Sequence, residues 1–210
     1  MKSLHEVAPD AAFSIDTEAN ELGEKPELAI LVARVFASWA TVEAFIGLCA
    51  NSLLSGRSGV AEAVYGVLSE NSLQYAALYA AADAALPRED AKLFREALKA
   101  IRKLGQGRHM LAHGVYASCD GIADLVIYEQ RDFAKLTRVF FTPPQPGESR
   151  QEQTRRLSRE AAKGAKVVGA DDLRGFIADI DVAAGQLMPR YWLLQSITTK
   201  RRRARASRTC

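Results

Sequence analysis

The chain has 210 residues, 48% of them apolar and 25% charged, the make-up of an ordinary globular protein long enough to bury one sizeable core. Its three cysteines, Cys49, Cys119 and Cys210, are odd in number and far apart, which excludes a secreted disulfide framework and any CxxC zinc or redox spacing and points to a reducing, cytoplasmic compartment. The net charge of +3 is a property of one end: six of the 28 basic residues fall in Lys200–Cys210, leaving 22 basic against 25 acidic residues elsewhere.

Residues 1–26 carry Glu6, Asp10, Asp16, Glu18, Glu21 and Glu24 and no apolar run; they read as a flexible N-terminal arm and not as a signal or transit peptide. Residues 27–199 read as a single helical-bundle domain. Leu28–Leu54 is a long apolar helix stopped by Gly56. Arg34 and Glu43 lie inside it, and such charges are costly in hydrocarbon, so the expectation is a buried core helix and no membrane span. Ser58–Ser69 is a shorter amphipathic piece with Val60, Val64, Val67 and Leu68 at helical spacing. Asn71 or Ser72 caps a third helix running to about Leu86. Pro87 opens a fourth, with Glu89 and Asp90 in its first turn and Gly114 beyond its end; Phe94, Leu98, Ile101, Leu104 and Leu111 form its apolar stripe.

The periodicity then changes. Val115–Ser118 and Ile122–Tyr128 flank Cys119-Asp120-Gly121, predicting a β-hairpin near 115–128 that is a small appendage to the bundle. A polar excursion near 143–169 follows: a Pro-rich loop, then Glu148–Gly164 as an exposed helix or a mobile stretch. Asp171 or Asp172 caps a last helix through Leu173, Phe176, Ile177, Ile180, Ala184, Leu187 and Tyr191, with Pro189 expected to kink it. Residues 200–210 are a basic C-terminal tail. Lys200, Arg201, Arg202, Arg203 and Arg205 are candidate nucleic-acid-binding residues, since such a run can hold a phosphate backbone; an anionic membrane surface and a merely solubilising end are the alternatives.

Two of the three histidines, His109 and His113, are one helical turn apart, with Arg108 beside the first. By the 100° step per residue the histidines share a face, whereas Arg108 is about 140° from His113 and falls in the apolar stripe. A guanidinium there needs a carboxylate, a phosphate or a partner chain, because an unpaired buried charge is expensive. Glu43, the acid inside the first long helix, is a candidate to pair with it, as an orienting or a purely structural contact. Gly105 and Gly107 precede the cluster, and each costs roughly 1 kcal/mol against Ala in a helix. They predict either a local break or the close approach of a second backbone, from this chain or a symmetry mate. The histidines can also be ordinary helix-end residues, or two ligands of a metal, since i, i+4 imidazoles converge on one ion; but no HExxH glutamate intervenes and no third ligand is evident. No P-loop, Rossmann glycine pattern or GxSxG elbow is present.

Arg108-His109-Met110-Leu111-Ala112-His113-Gly114 resembles the R-polar-x-x-x-H signature of the HEPN domain family, which lies near the end of a long helix and is often followed by Gly. The resemblance covers mainly Leu28–Tyr116; the hairpin and last helix look like elaborations of bacterial members. It implies a mainly α fold, a HEPN-like helical bundle with a small β-hairpin appendage, and metal-independent RNA cleavage without a cofactor at a composite site between two copies. Arg108 would stabilise phosphate charge and His113 would move the proton of the 2′-hydroxyl, with His109 in a supporting place where the family most often has Asn. A toxin or phage-defence role, with an antitoxin or other protein partner, is what that activity would imply. The competing class is a non-catalytic helical module that binds RNA, a nucleotide or a protein.

Overall fold

The computed structural model describes residues 1–8, 21–54, 71–117, 119, 121–134 and 141–206, so the amphipathic piece at Ser58–Ser69, and Cys210, lie outside the described residues. The protein is mostly helical with a small four-stranded antiparallel sheet. In chain order the elements are β1 (Lys2–Ser3), α1 (Leu4–Val7), α2 (Glu21–Glu24), α3 (Pro26–Leu53), α4 (Asn71–Ala85), α5 (Arg88–His113), β2 (Val115–Ala117), β3 (Leu125–Tyr128), α6 (Arg150–Gly164), β4 (Ala165–Val168) and α7 (Ala170–Ala206). They form two compact units, one of Met1–Phe36 with Gln106–Ile177, the other of Ala37–Gly105 with Ala178–Cys210. Each unit is made of two separate stretches of chain.

In the first unit the strand order is β1-β4-β3-β2. Val115 faces Tyr128 and Ala117 faces Val126 across the expected hairpin, whose turn closes through the Ile122 N–H to the Cys119 carbonyl at 3.0 Å, with Gly121 at φ 78°. The hairpin is not an appendage. Leu125, Val126, Ile127 and Tyr128 are all buried, so β3 has no face left for water; β4 pairs with it, Leu125 opposite Val168 and Tyr128 opposite Ala165. Val126, Tyr128, Ala165 and Val167 join Leu4, Ala117, Cys119 and Ala162 in one apolar cluster.

The N-terminal residues correct another expectation. Lys2 and Ser3 pair with Val167 and Lys166 in the sheet, and Leu4 is fully buried, so the first residues are held in the sheet, while residues 9–20 of the expected arm lie outside the described residues. Ser3 caps α1 reciprocally: its hydroxyl oxygen accepts the Glu6 N–H at 3.3 Å, and the Glu6 carboxylate accepts the Ser3 N–H at 2.6 Å. The same Ser-x-x-Glu device at Ser149 and Glu152 starts α6 and turns the polar stretch into an exposed helix. Glu148 adds a two-pronged pair with Arg156, at 2.8 and 2.9 Å. That fork, with the Gln145 N–H, holds the Glu148 carboxyl down at about 2.

Every element of the second unit among its described residues is a helix. Phe94, Leu98 and Ile101, from the predicted stripe of α5, are fully buried, as are Val42, Leu78, Ile180 and Leu187 of the same unit. Pro189 lies inside α7, which continues to Ala206, so the start of the basic run is helical backbone and not a separate tail. Helix α3 is long and apolar enough to cross a bilayer by length and composition, and it carries Glu27, Arg34 and Glu43 exposed along it.

Candidate functional site at the end of helix α5

The last turns of α5 belong to the first unit and hold Arg108, His109 and His113. Helix α5 runs unbroken through Gly105 and Gly107, so the glycines do not divide it. Aromatic side chains, not a second backbone, occupy the space they leave. A Cβ on Gly107 would lie 2.9 Å from Cζ of Phe176, and one on Gly105 would lie 3.3 Å from Cη2 of Trp39. Close approach is therefore why Gly107 lacks a side chain, the contact at Gly105 is milder, and both neighbours come from this chain.

The helix stops where it must. The Gly114 N–H donates to the Met110 carbonyl at 2.8 Å, the ordinary end of an α-helix. A Cβ on Gly114 would collide with Cγ2 of Ile127 and come within 3.1 Å of the Tyr128 carbonyl oxygen, because β3 passes directly over the first residue after the helix. Tyr116 then turns back: its half-buried hydroxyl donates to the Leu111 carbonyl at 2.6 Å, satisfying one of the open carbonyls of the last turn, and burial raises its pKa. The turn carrying His113 is thus held at Gly114 by packing and at Leu111 by a hydrogen bond.

His109 and His113 are both exposed, with ring centroids 4.6 Å apart and planes at 50°. Arg108 is half-buried on another side of the helix, as its phase requires, and its guanidinium carbon stands 5.7 Å from the centre of the Phe36 ring. Its Nε is buried and has no hydrogen-bond partner. Among the described residues Arg108 has no ion-pair partner either; the cation–π contact is what faces its charge. The carboxylate expected for it is engaged elsewhere: Glu43, exposed in the second unit, accepts from the Trp39 indole N–H at 2.7 Å, one helical turn back. That i, i+4 partner was legible in the sequence.

Of the basic run, Lys200 is exposed on α7; Arg201, Arg202, Arg203 and Arg205 continue that helix, and their side chains lie outside the described ones. No group of three or more His, Cys, Asp or Glu side chains able to hold a metal is found among the described residues. Phe36, Phe176 and Tyr116 are the site's neighbours that sequence reasoning missed. Only Tyr116, three residues past His113, was close enough in sequence to signal its role. Compared with protein-family models, curated proteins and solved structures, the chain matches none.

Proposed function

We propose that this protein is a HEPN-like, metal-independent endoribonuclease whose site is completed by a second copy of the chain, with Arg108 and His113 as its reacting groups. One observation carries the reading: a half-buried guanidinium without an anionic partner among the described residues shares the last turns of one helix with two exposed imidazoles. A fixed cation lacking a carboxylate is suited to a phosphate, and its attraction grows as charge accumulates on a phosphorane. An imidazole at the same helix end can take the 2′-hydroxyl proton while the 2′-oxygen attacks phosphorus and the 5′-oxygen leaves.

The dimer follows from the stereochemistry of that step. In-line displacement puts the attacking and leaving oxygens on opposite sides of phosphorus. Side-by-side rings on one helix face cannot serve both sides, so protonation of the leaving oxygen falls to a second copy. His109 supports the site by holding its neighbour's ring, and the HEPN-specific arrangement of the helices belongs to the same proposal. The test is incubation of purified protein and its His113→Ala variant with mixed RNA in EDTA. Cleavage by the parent alone supports the reading; equal cleavage by both, or none by either, refutes it. In the latter case the binding-module alternative gains, with Arg108 holding a phosphate that is never cut.

A further inference from the structure

We infer that His109 and His113 form a two-imidazole site for a borderline transition-metal cation of the Zn²⁺ class, and that the bound ion is an inhibitor of the proposed reaction. The metal site stands on geometry alone; the inhibition rests on the ribonuclease reading.

Three features of the pair support it. The i, i+4 spacing stacks the two side chains on one face of the last turn of α5, the arrangement by which helical histidines share an ion. The separation of the rings also fits. An ion bound at about 2.0–2.1 Å lies roughly 3.2 Å from each ring centre, so two imidazoles in adjacent coordination positions have centroids about 4.5–5.3 Å apart. The observed 4.6 Å is inside that interval. Finally, both rings are exposed, so an ion can reach them from solvent and keep water in its other positions.

The site has only these two protein ligands, since no third His, Cys, Asp or Glu among the described residues joins them. Two imidazoles make a reversible site and not a structural one. Arg108 adds repulsion, reduced by its phase on the helix and by its position over Phe36. Nitrogen ligands select Zn²⁺, Ni²⁺ or Cu²⁺ over Mg²⁺, which prefers oxygen. The lone pair His113 would give the ion is the one that would accept the 2′-hydroxyl proton, so an occupied pair cannot act as base. An enzyme needing no metal would thus be switched off by one.

Titration calorimetry of the full chain with ZnCl₂ tests binding without reference to activity. The expected result is one ion per chain, no heat with MgCl₂, and affinity at least about tenfold weaker in His109→Ala and in His113→Ala, because each variant loses chelation. Both positions are exposed, and circular dichroism checks that each variant stays helical. No Zn²⁺ binding, or equal binding by the parent and both variants, overturns the site. RNA cleavage is then followed against Zn²⁺, with the parent and His109→Ala each normalised to its own rate in EDTA. Half-inhibition shifting upward about tenfold in the variant supports the inhibitory role. Cleavage in EDTA that Zn²⁺ leaves unchanged while it occupies the pair overturns that role. Zn²⁺ bound at the pair in a protein that cuts no RNA keeps the metal site and defeats the ribonuclease reading.

Discussion

Replacing Gly107 by Ala sets two effects of similar size against each other. In a helix interior the change gains about 1 kcal/mol of backbone propensity. The new Cβ would meet Cζ of Phe176 at 2.9 Å and Cε2 at 3.2 Å, and Phe176 is only 9% exposed, so its ring has little room to withdraw. Overpacking of this kind costs about 1–3 kcal/mol, leaving a net destabilisation of about 1 kcal/mol. For a chain of this length that lowers Tm by about 2–4 °C. Gly105→Ala is the internal control. Its Cβ stands 3.3 Å and 3.5 Å from the buried Trp39 ring, a milder contact that asks a shift of only a few tenths of an ångström, so its cost is smaller than at Gly107 and Tm stays closer to the parent's. Thermal melts of both variants, together with Phe176→Leu and the double variant Gly107→Ala/Phe176→Leu, decide the matter. Leucine removes the ring atoms in contact, so the double variant is expected to be about 1–2 kcal/mol more stable than the sum of the singles. A Gly107→Ala as stable as Gly105→Ala, or an additive cycle, would refute the close approach of Phe176.

Three further outcomes follow from the same structure. The Glu148 carboxyl is held at about 2, below the ordinary 4.5, by the Arg156 fork and the Gln145 N–H. Its contribution to stability is therefore complete above the unfolded value and is lost as pH falls from about 4.5 to about 2. Tm measured against pH should be flatter over that window in Glu148→Gln, and parallel curves would contradict the assignment. Burial pushes the Cys49 thiol up to about 12. Iodoacetamide at pH 8 should leave Cys49 unmodified in the native protein and alkylate it after urea unfolding, read by peptide mass; rapid native labelling would count against its burial. Tyr116→Phe deletes the hydrogen bond to the Leu111 carbonyl and should cost about 1 kcal/mol, read as faster amide exchange in the last turn of α5. Unchanged exchange there would mean that the phenol does not hold that turn.

Local signals carried the helices and long-range contacts carried what sequence reading missed. Pro87 before α5 and Gly114 after it marked both ends of the helix, because the first has a fixed φ and the second has no room for a Cβ. The Ser-x-x-Glu pairs at Ser3 and Ser149 were equally readable, and they bear on the two regions where the sequence suggested an arm and a loose polar stretch. Leu125–Tyr128 gave a further warning. Four apolar residues in a row leave no polar side, so β3 needed cover on both faces, whereas a solvent-facing hairpin would alternate. Strands β1 and β4 are two and four residues long and make sense only opposite β3 or each other. Neither compact unit is one continuous stretch, which a chain-order reading cannot reveal.

At the candidate site, helical phase separated Arg108 from the histidine face, and the structure keeps that separation. The partners were another matter. Phe36 beneath Arg108 and Phe176 beside Gly107 are each about seventy residues away along the chain. Glu43 found its partner only four residues away, in Trp39, where i, i+4 pairing is strongest.

The proposed ribonuclease site is put to the test by incubating a 5′-labelled single-stranded RNA in EDTA with the parent protein, Arg108→Ala and His113→Ala, reading both the rate and the new 3′ ends. Fragments ending in a 2′,3′-cyclic phosphate are expected, with each variant slower by at least about a hundredfold. Intact RNA with the parent protein, or equal cutting by all three, would contradict it.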